Sequence, residues 1–491
     1  VPYKLLCLVL ADQLFREHPG LQLTDHFLMV ESVTACRRLP YHKFRLAYIL
    51  TAMREYADFL RSLGKQVIYH ILSEQLTIAQ VLARYSQEYN TLIWVEIDDK
   101  PVSKQIGYLA KKYFVKQQVL PSPKFLTSQL EFQSYLQSKK NSRLIMQDFY
   151  VWQRKRLHCL VNSDQTPIGG SWSLDKLNRK RLPRQINLSK RIQQFASQHF
   201  LEVKELVTRY FPNNPGILDQ LWLPINSVQA EQFLEHFLQN SLPWFGDYED
   251  ALTQRDDFVF HSVLSPLLNL GLLTPVQVLD KLLQRLKQSP ELLNQHLNSV
   301  EGFLRQIIGW REWVKGMYVH KYSSDWQRLN FFKASNPLPK YFYQPQLTNP
   351  ELDWNVPLKQ TLLKVHRLAW CHHIERLMVL ANWMTLNSYS PNDCYLWFRS
   401  QFVDAFEWVM VPNVYGMGLF ADGGLFATKP YIAGGNYLQK MGDYSQPNQW
   451  ASVWTEKFWQ FLLQHQNYFS QNPRLNLLLQ KKLNSTNSSQ Q

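Results

Sequence analysis

The chain has 491 residues, too many for one simple core, and its 45% hydrophobic and 19% charged residues are those of an ordinary globular protein of two or three domains. A formal charge of +14 favours an acidic partner. No segment offers the roughly 18 consecutive apolar residues of a membrane span, which leaves nucleic acid as the better partner.

In chain order, residues 3–10 are predicted as a first buried strand. The apolar run ends at Ala11-Asp12-Gln13 with no small-residue cleavage site, so it does not read as a secretory signal. Strands follow at 27–30, 67–71 and 92–97, separated by amphipathic helices at 41–63 and 78–89. Strands spaced by helix-length segments pair in parallel through crossovers, which predicts a doubly wound α/β domain over residues 1–121. The turn after the first strand reads Leu8-Val9-Leu10-Ala11-Asp12-Gln13-Leu14, so the glycine fingerprint of routine dinucleotide binding is absent.

Over residues 122–229 the pattern loosens into a connector with a basic stretch: Lys176, Arg179, Lys180, Arg181, Arg184, Lys190 and Arg191. Such a stretch is either a solvated face or a set of phosphate contacts, which release counterions on binding. Residues 230–470 read as an aromatic-rich helical domain, with 3.6-residue periodicity at 231–237, 275–286, 301–318 and 358–384. Rings at 14% of the chain first imply a ring-packed core; some could instead stack on a planar cofactor or carry electrons. Residues 471–491 form a largely disordered tail that ends in Ser, Asn and Gln. Cys7, Cys36, Cys159, Cys371 and Cys394 stand singly, so neither a disulfide framework nor a zinc ribbon is supported and a reducing cytoplasm fits.

Clusters in the helical part carry chemistry. His261-Ser262-Val263-Leu264-Ser265-Pro266 can start a helix, with hydroxyl caps and Pro in the first turn, and such a terminus suits a diphosphate or simply caps itself. In Trp310-Arg311-Glu312, Arg311 serves either a phosphate or a neighbouring carboxylate. His372-His373 lies in a predicted helix, where adjacent side chains point about 100° apart, so joint chelation of one metal is not expected. A Gly-rich stretch then brings Asn413, Met417, Asp422 and Gly423 between helices, followed by Lys429-Pro430-Tyr431; it is either a structural loop or a close approach of backbone to a ligand.

In order and spacing these clusters resemble the deoxyribodipyrimidine photolyase-related proteins, the prokaryotic (6-4) branch of the photolyase and cryptochrome family. The resemblance also takes in Met29-Val30-Glu31, Ala52-Met53-Arg54 and Gly169-Gly170-Ser171-Trp172. It implies an α/β antenna-type domain, a linker and an all-α domain holding FAD. By that resemblance the diphosphate lies near His261, Ser262, Leu264 and Ser265, and the isoalloxazine near Arg311, Asn413, Met417, Asp422 and Gly423. His372 and His373 match the proton-donor pair and Tyr431 a substrate-side tyrosine. Asp250 and Asp404 match acidic positions at the lesion pocket, and Lys176, Arg179 and Lys429 are expected at the DNA. The implied activity is light-driven repair of (6-4) photoproducts in UV-damaged DNA by a cytoplasmic monomer. The alternatives are a blue-light cryptochrome without repair, or a DNA-binding flavoprotein that has lost both activities.

The sequence also departs from the family pattern. The four cysteines of its iron–sulfur cluster fall at Val356 or Pro357, Ser445, Asn448 and Ser452, none a thiolate, so no [4Fe–4S] cluster is expected and Trp450, Trp454, Phe458 and Trp459 should fill the region. The antenna segment reads Val33-Thr34-Ala35-Cys36 where acidic residues are common, leaving Asp12, Gln13 and Glu31 for a 6,7-dimethyl-8-ribityllumazine. Met410 replaces a glutamate, which weakens any divalent-ion site. Phe398 stands beside Trp397, so electron hopping would use Trp397, Tyr341 or Tyr343.

Overall fold

The computed structural model describes residues 4–480 apart from 75, 141–142, 189–193, 347–348, 445–448, 472–475 and 478. Lys190, Arg191, Ser445, Asn448 and the tail from Leu483 lie outside the described residues.

Five strands, β1 (Leu5–Leu8), β2 (His26–Ser32), β3 (Gln66–Ser73), β4 (Thr91–Val95) and β5 (Lys116–Leu120), form one parallel sheet in the order β3-β2-β1-β4-β5. Alternation along the strands divides the side chains between two cores. Cys7, Phe27, Met29, Ile93 and Val95 face the helix Lys43–Ser62, while Leu6, Leu8, Leu28, Leu92 and Trp94 face the helices Ile78–Tyr85 and Lys100–Tyr113. A period of two on a sheet covered on both faces is what a doubly wound fold requires. β5 was not legible in the sequence: Lys116-Gln117-Gln118-Val119 is exposed and shows no apolar alternation, as suits an edge strand.

Helix starts follow local chemistry. Thr77 with Gln80, and Thr274 with Gln277, form capping boxes at Ile78–Tyr85 and Pro275–Gln288, the latter also with Pro in its first turn. The periodicity over 301–318 appears as one continuous run, but its middle, Arg305–Arg311, is a π-helix between Leu297–Leu304 and Glu312–Lys321. The predicted helix at 358–384 is broken. Val356–Leu368 ends with Ala369 in the left-handed region (φ 52°), and helix resumes only at His373. Ala369, Trp370 and Cys371 are buried, so packing overrides the helical propensity of this stretch.

The sheet and the helical part meet at the carboxyl ends of β1 and β4, where strand order reverses. Asp98 binds Lys124 Nζ at 2.8 Å and Lys315, and Asp12 binds Lys124 at 2.6 Å. This buried ion cluster fills the crevice where ligands of open α/β sheets commonly bind. His42 makes a second lock: its Nδ1 accepts from Phe44 N (3.1 Å) at the start of Lys43–Ser62, and its Nε2 lies 2.9 Å from His366 O of the helical part.

Candidate functional site

The site is built where the broken helix meets a strained loop. His261 lies between Val259 (φ 53°) and Val263 (φ 56°), β-branched residues held in the left-handed region. Such backbone persists only where its surroundings over-determine it, and it clusters at functional sites. Because His372 precedes the helix that His373 begins, the two imidazoles do not diverge as successive helix residues would. The His261 ring stacks on His372, with centroids 4.5 Å apart, and meets His373 edge-on at 5.3 Å. The helical premise behind the expectation that the pair would not chelate one metal therefore does not hold, since His372 lies outside the helix.

The imidazoles differ in environment. His372 is 2% exposed; burial, then the charges of His261, Lys364, His373 and Arg376, hold its pKa well below the ordinary value. His372 Nε2 faces Glu375 Oε2 at 3.4 Å, and Glu375 in turn binds Lys364 Nζ at 2.6 Å. The side chain of His373 is 49% exposed and its Nε2 lies 3.5 Å from Asp250 Oδ1. Its crowded surroundings oppose the charge, but the bond to Asp250 and the charges of Glu249 and Asp250 outweigh them, so its pKa is raised.

Asp250 also approaches Arg179 Nε at 3.9 Å, and Arg179 Nη2 binds Asp175 at 2.5 Å. The basic connector is thereby brought beside His373, anchored by a small core of Leu182, Tyr248, Ala251, Val259 and Phe260. Lys176 and Lys429 are exposed. Burial raises the phenol of Tyr431, with Asp175 adding to it, which places Tyr431 within electrostatic reach of this cluster.

Other predicted residues are used differently. The helix Ser265–Leu270 carries Pro266 in its first turn as expected, but its N-cap is Leu264 and no side chain caps it. Ser265 Oγ instead donates to Asp404 Oδ2 at 2.6 Å, and Asp404 also takes both Nη atoms of Arg376 at 3.0 Å. Asp404, 3% exposed, is thus the centre of a buried bidentate pair. Arg311 donates to Asn269 Oδ1 (2.5 Å) and Leu268 O (3.2 Å) between the rings of Phe125 and Trp408, and burial pushes its pKa down to about 10. Asn413 Nδ2 bonds Val409 O at 2.7 Å. Asp422 accepts from Tyr322 OH (2.6 Å) and from the amides of Gly424 and Phe426 (3.0 Å each), organising the turn in which Gly423 and Gly424 have φ of 67° and 103°. Arg311, Arg376, Asn413 and Met417 are partly exposed and lie on π-helical turns, Arg305–Arg311, Glu375–Ala381 and Val411–Gly418. Such turns recur at functional sites.

In the sheet domain the polar atoms of the antenna candidates are engaged within the chain. Asp12 binds Lys124, Gln13 Nε2 donates to Val95 O at 2.9 Å, and Glu31 accepts from Arg54, Tyr69 and Leu72 N. Trp397 is fully buried and donates to Phe342 O at 2.8 Å, with Tyr341 stacked on Phe342 at 5.1 Å. Trp450 and Trp454 are buried; Trp454 donates to Asn355 Oδ1 at 2.9 Å and packs on Trp383 at 4.8 Å, while Phe458 and Trp459 pack partly buried against the same core. Met410 is 4% exposed in that core. No helix among the described residues is long and apolar enough to cross a membrane.

The family model described as deoxyribodipyrimidine photo-lyase-related protein matches residues 7–223. A (6-4) photolyase of Agrobacterium fabrum is 30% identical over 488 residues, covering 96% of this chain and 94% of the relative. The chain belongs to this photolyase-related family. Two solved structures share the photolyase fold. A bacterial class III photolyase from Agrobacterium tumefaciens has a TM-score of 0.58 at 13% identity, with 93% of this chain and 86% of that one covered. The cryptochrome of Synechocystis sp. PCC6803 has a TM-score of 0.59 at 13% identity, with 94% and 89% covered.

In this photolyase-family chain, sequence reasoning missed the groups that set the histidine environment: Arg376, Glu375, Lys364 and Glu249, the last bonded by Gln306 Nε2 at 2.7 Å and Asn178 Nδ2 at 2.9 Å. The i, i+3 spacing of His372 and Glu375 was a signal for one of them. Arg376 and Asp404 are joined only by the tertiary fold.

Proposed function

We propose that the chain repairs (6-4) pyrimidine photoproducts in DNA, using light, bound FAD and His373 as proton donor. The observation that carries this reading is the half-exposed His373 held on Asp250 and backed by two more imidazoles, in a chain akin to a (6-4) photolyase.

The residues present fit a flavin dinucleotide. The helix start at Ser265 has no side-chain cap, and the buried Nε of Arg311 finds no hydrogen-bond partner among the described residues. His261, Ser262, Leu264 and Ser265 would face the diphosphate; Arg311, Asn413, Met417, Asp422 and Gly423 would surround the ring. When bound and reduced, the flavin supplies the light-driven electron. His373, steadied at Nε2 by Asp250, holds the proton and gives it to the group returned between the two bases. His261 meets it edge-on, and His372, stacked on His261, lies behind. Arg179, Lys176 and Lys429 neutralise phosphates, and a flipped-out lesion meets His373 and Tyr431. In this reading the indoles of Trp450 and Trp454 stand in place of an iron–sulfur cluster. A lumazine antenna would contact the sheet domain near Asp12, Gln13 and Glu31, whose acceptors are already committed.

The test is illumination of the purified chain with an oligonucleotide carrying one (6-4) photoproduct. Restored bases are expected, and His373→Ala should lower turnover by about 100-fold or more. Lesion binding without turnover would overturn the reading. Met410, apolar where the family has a carboxylate, favours a cryptochrome as second reading; light-driven structural change without lesion affinity would support that.

A further inference from the structure

His261, His372 and His373 also form a ligand set. One ring nitrogen of each lies within 4.8 Å of the other two. Zn²⁺ holds imidazole nitrogens at about 2.0–2.1 Å, which puts tetrahedral neighbours roughly 3.3 Å apart. His261 is stacked on His372, so these rings must turn out of the stack for their nitrogens to meet on one ion.

Two independent observations point to an ion. Carboxylates stand on Nε2 of two rings: Glu375 on His372 at 3.4 Å and Asp250 on His373 at 3.5 Å. Carboxylates behind metal-bound imidazoles fix the tautomer through a hydrogen bond, and a small shift would shorten these ion-pair contacts to that length. Second, Nδ1 of His372, 2% exposed, has no hydrogen-bond partner among the described residues. A buried nitrogen left this way is destabilising unless something occupies the space before it. The exposed edge of His373 supplies an entry path.

We propose that these three histidines bind one divalent transition-metal ion of the Zn²⁺ class, and that the bound ion blocks the proton donor. Imidazole ligands select Zn²⁺ and its neighbours over Mg²⁺ and Ca²⁺, which take oxygen. Only the blocking effect rests on the repair reading; binding does not.

The experiment uses the full chain stripped with EDTA and titrated in the dark with Zn²⁺ by calorimetry and with Co²⁺ by visible absorption. The expected result is one ion per chain, an intense tetrahedral-type Co²⁺ spectrum and no response to Mg²⁺. His372→Ala should abolish that spectrum, and Glu375→Gln, which keeps all three ligands, should weaken binding by about 10–100-fold. His373→Gln, at a half-exposed position, gives the same test should His372→Ala fail to fold. Zn²⁺ binding unchanged in these variants, or an octahedral Co²⁺ spectrum, would overturn the proposal. A chain that binds Zn²⁺ but repairs no lesion even after EDTA stripping keeps the metal site and loses the repair reading; one that repairs equally well with Zn²⁺ bound loses the blocking effect; one that repairs but binds no Zn²⁺ loses the metal site.

Discussion

Asp404 shows how one side chain can be placed at a site yet serve another member of it. Its oxygens take both Nη atoms of Arg376 and the hydroxyl of Ser265, and its backbone oxygen accepts from Asn269, which itself holds Arg311. Removing one charge from a buried bidentate pair costs about 3–5 kcal/mol, because the other charge is left desolvated. Asp404→Asn is therefore expected to lose stability of that order in urea unfolding. A loss under 1 kcal/mol would mean that solvent reaches Arg376. Asp250 is the contrasting carboxylate: exposed enough to meet solvent, it sits between His373 and Arg179.

Among the elements, the helix Glu312–Lys321 follows directly on the π-turn that carries Arg311, so its seating fixes that guanidinium. Gly316 lets it approach the helix Gln129–Ser138: a Cβ there would lie 2.0 Å from Cε2 of Phe132. In an open helix Gly→Ala stabilises by about 1 kcal/mol. Here overpacking of about 1–3 kcal/mol opposes it, so Gly316→Ala should be destabilising, and the Phe132→Leu background should rescue it. Thermal unfolding of the single and double variants checks this; a more stable single variant would show that Phe132 swings aside. The break between Leu368 and His373 acts in the same way, since without it His372 and His373 would point apart.

Across the whole molecule, the sheet and helical parts are joined by buried polar contacts that answer to pH. His42 uses Nδ1 as acceptor and Nε2 as donor, which only the neutral ring can do, and burial first of all pushes its pKa down to about 3. With the unfolded value near 6.5, the unfolded chain binds the extra proton. Stability is complete above about pH 6.5 and falls toward pH 3, by up to ~1.4 kcal/mol per unit for this group. His42→Asn, which keeps a cap for Lys43–Ser62 but no titrating ring, should flatten that part of the acid-unfolding curve followed by circular dichroism. An unchanged slope would assign the acid limb to other groups.

Strand alternation, capping boxes and the order of motifs were written in the sequence, because each depends on neighbours a few residues apart; so were the resemblance to the photolyase-related family and the imidazole pair. Sequence did not reveal the exposed edge strand β5, which lacks an apolar pattern, or the break at Ala369, where burial overrides helical periodicity. Nor could it show that His261 stacks on His372, that Arg376 claims Asp404, that Glu31 and Gln13 are spent inside the sheet domain, or that Asp12 is held by Lys124 at its junction with the helical part. Those pairings join residues far apart in the chain, and only closing the loops between them settles which donor meets which acceptor.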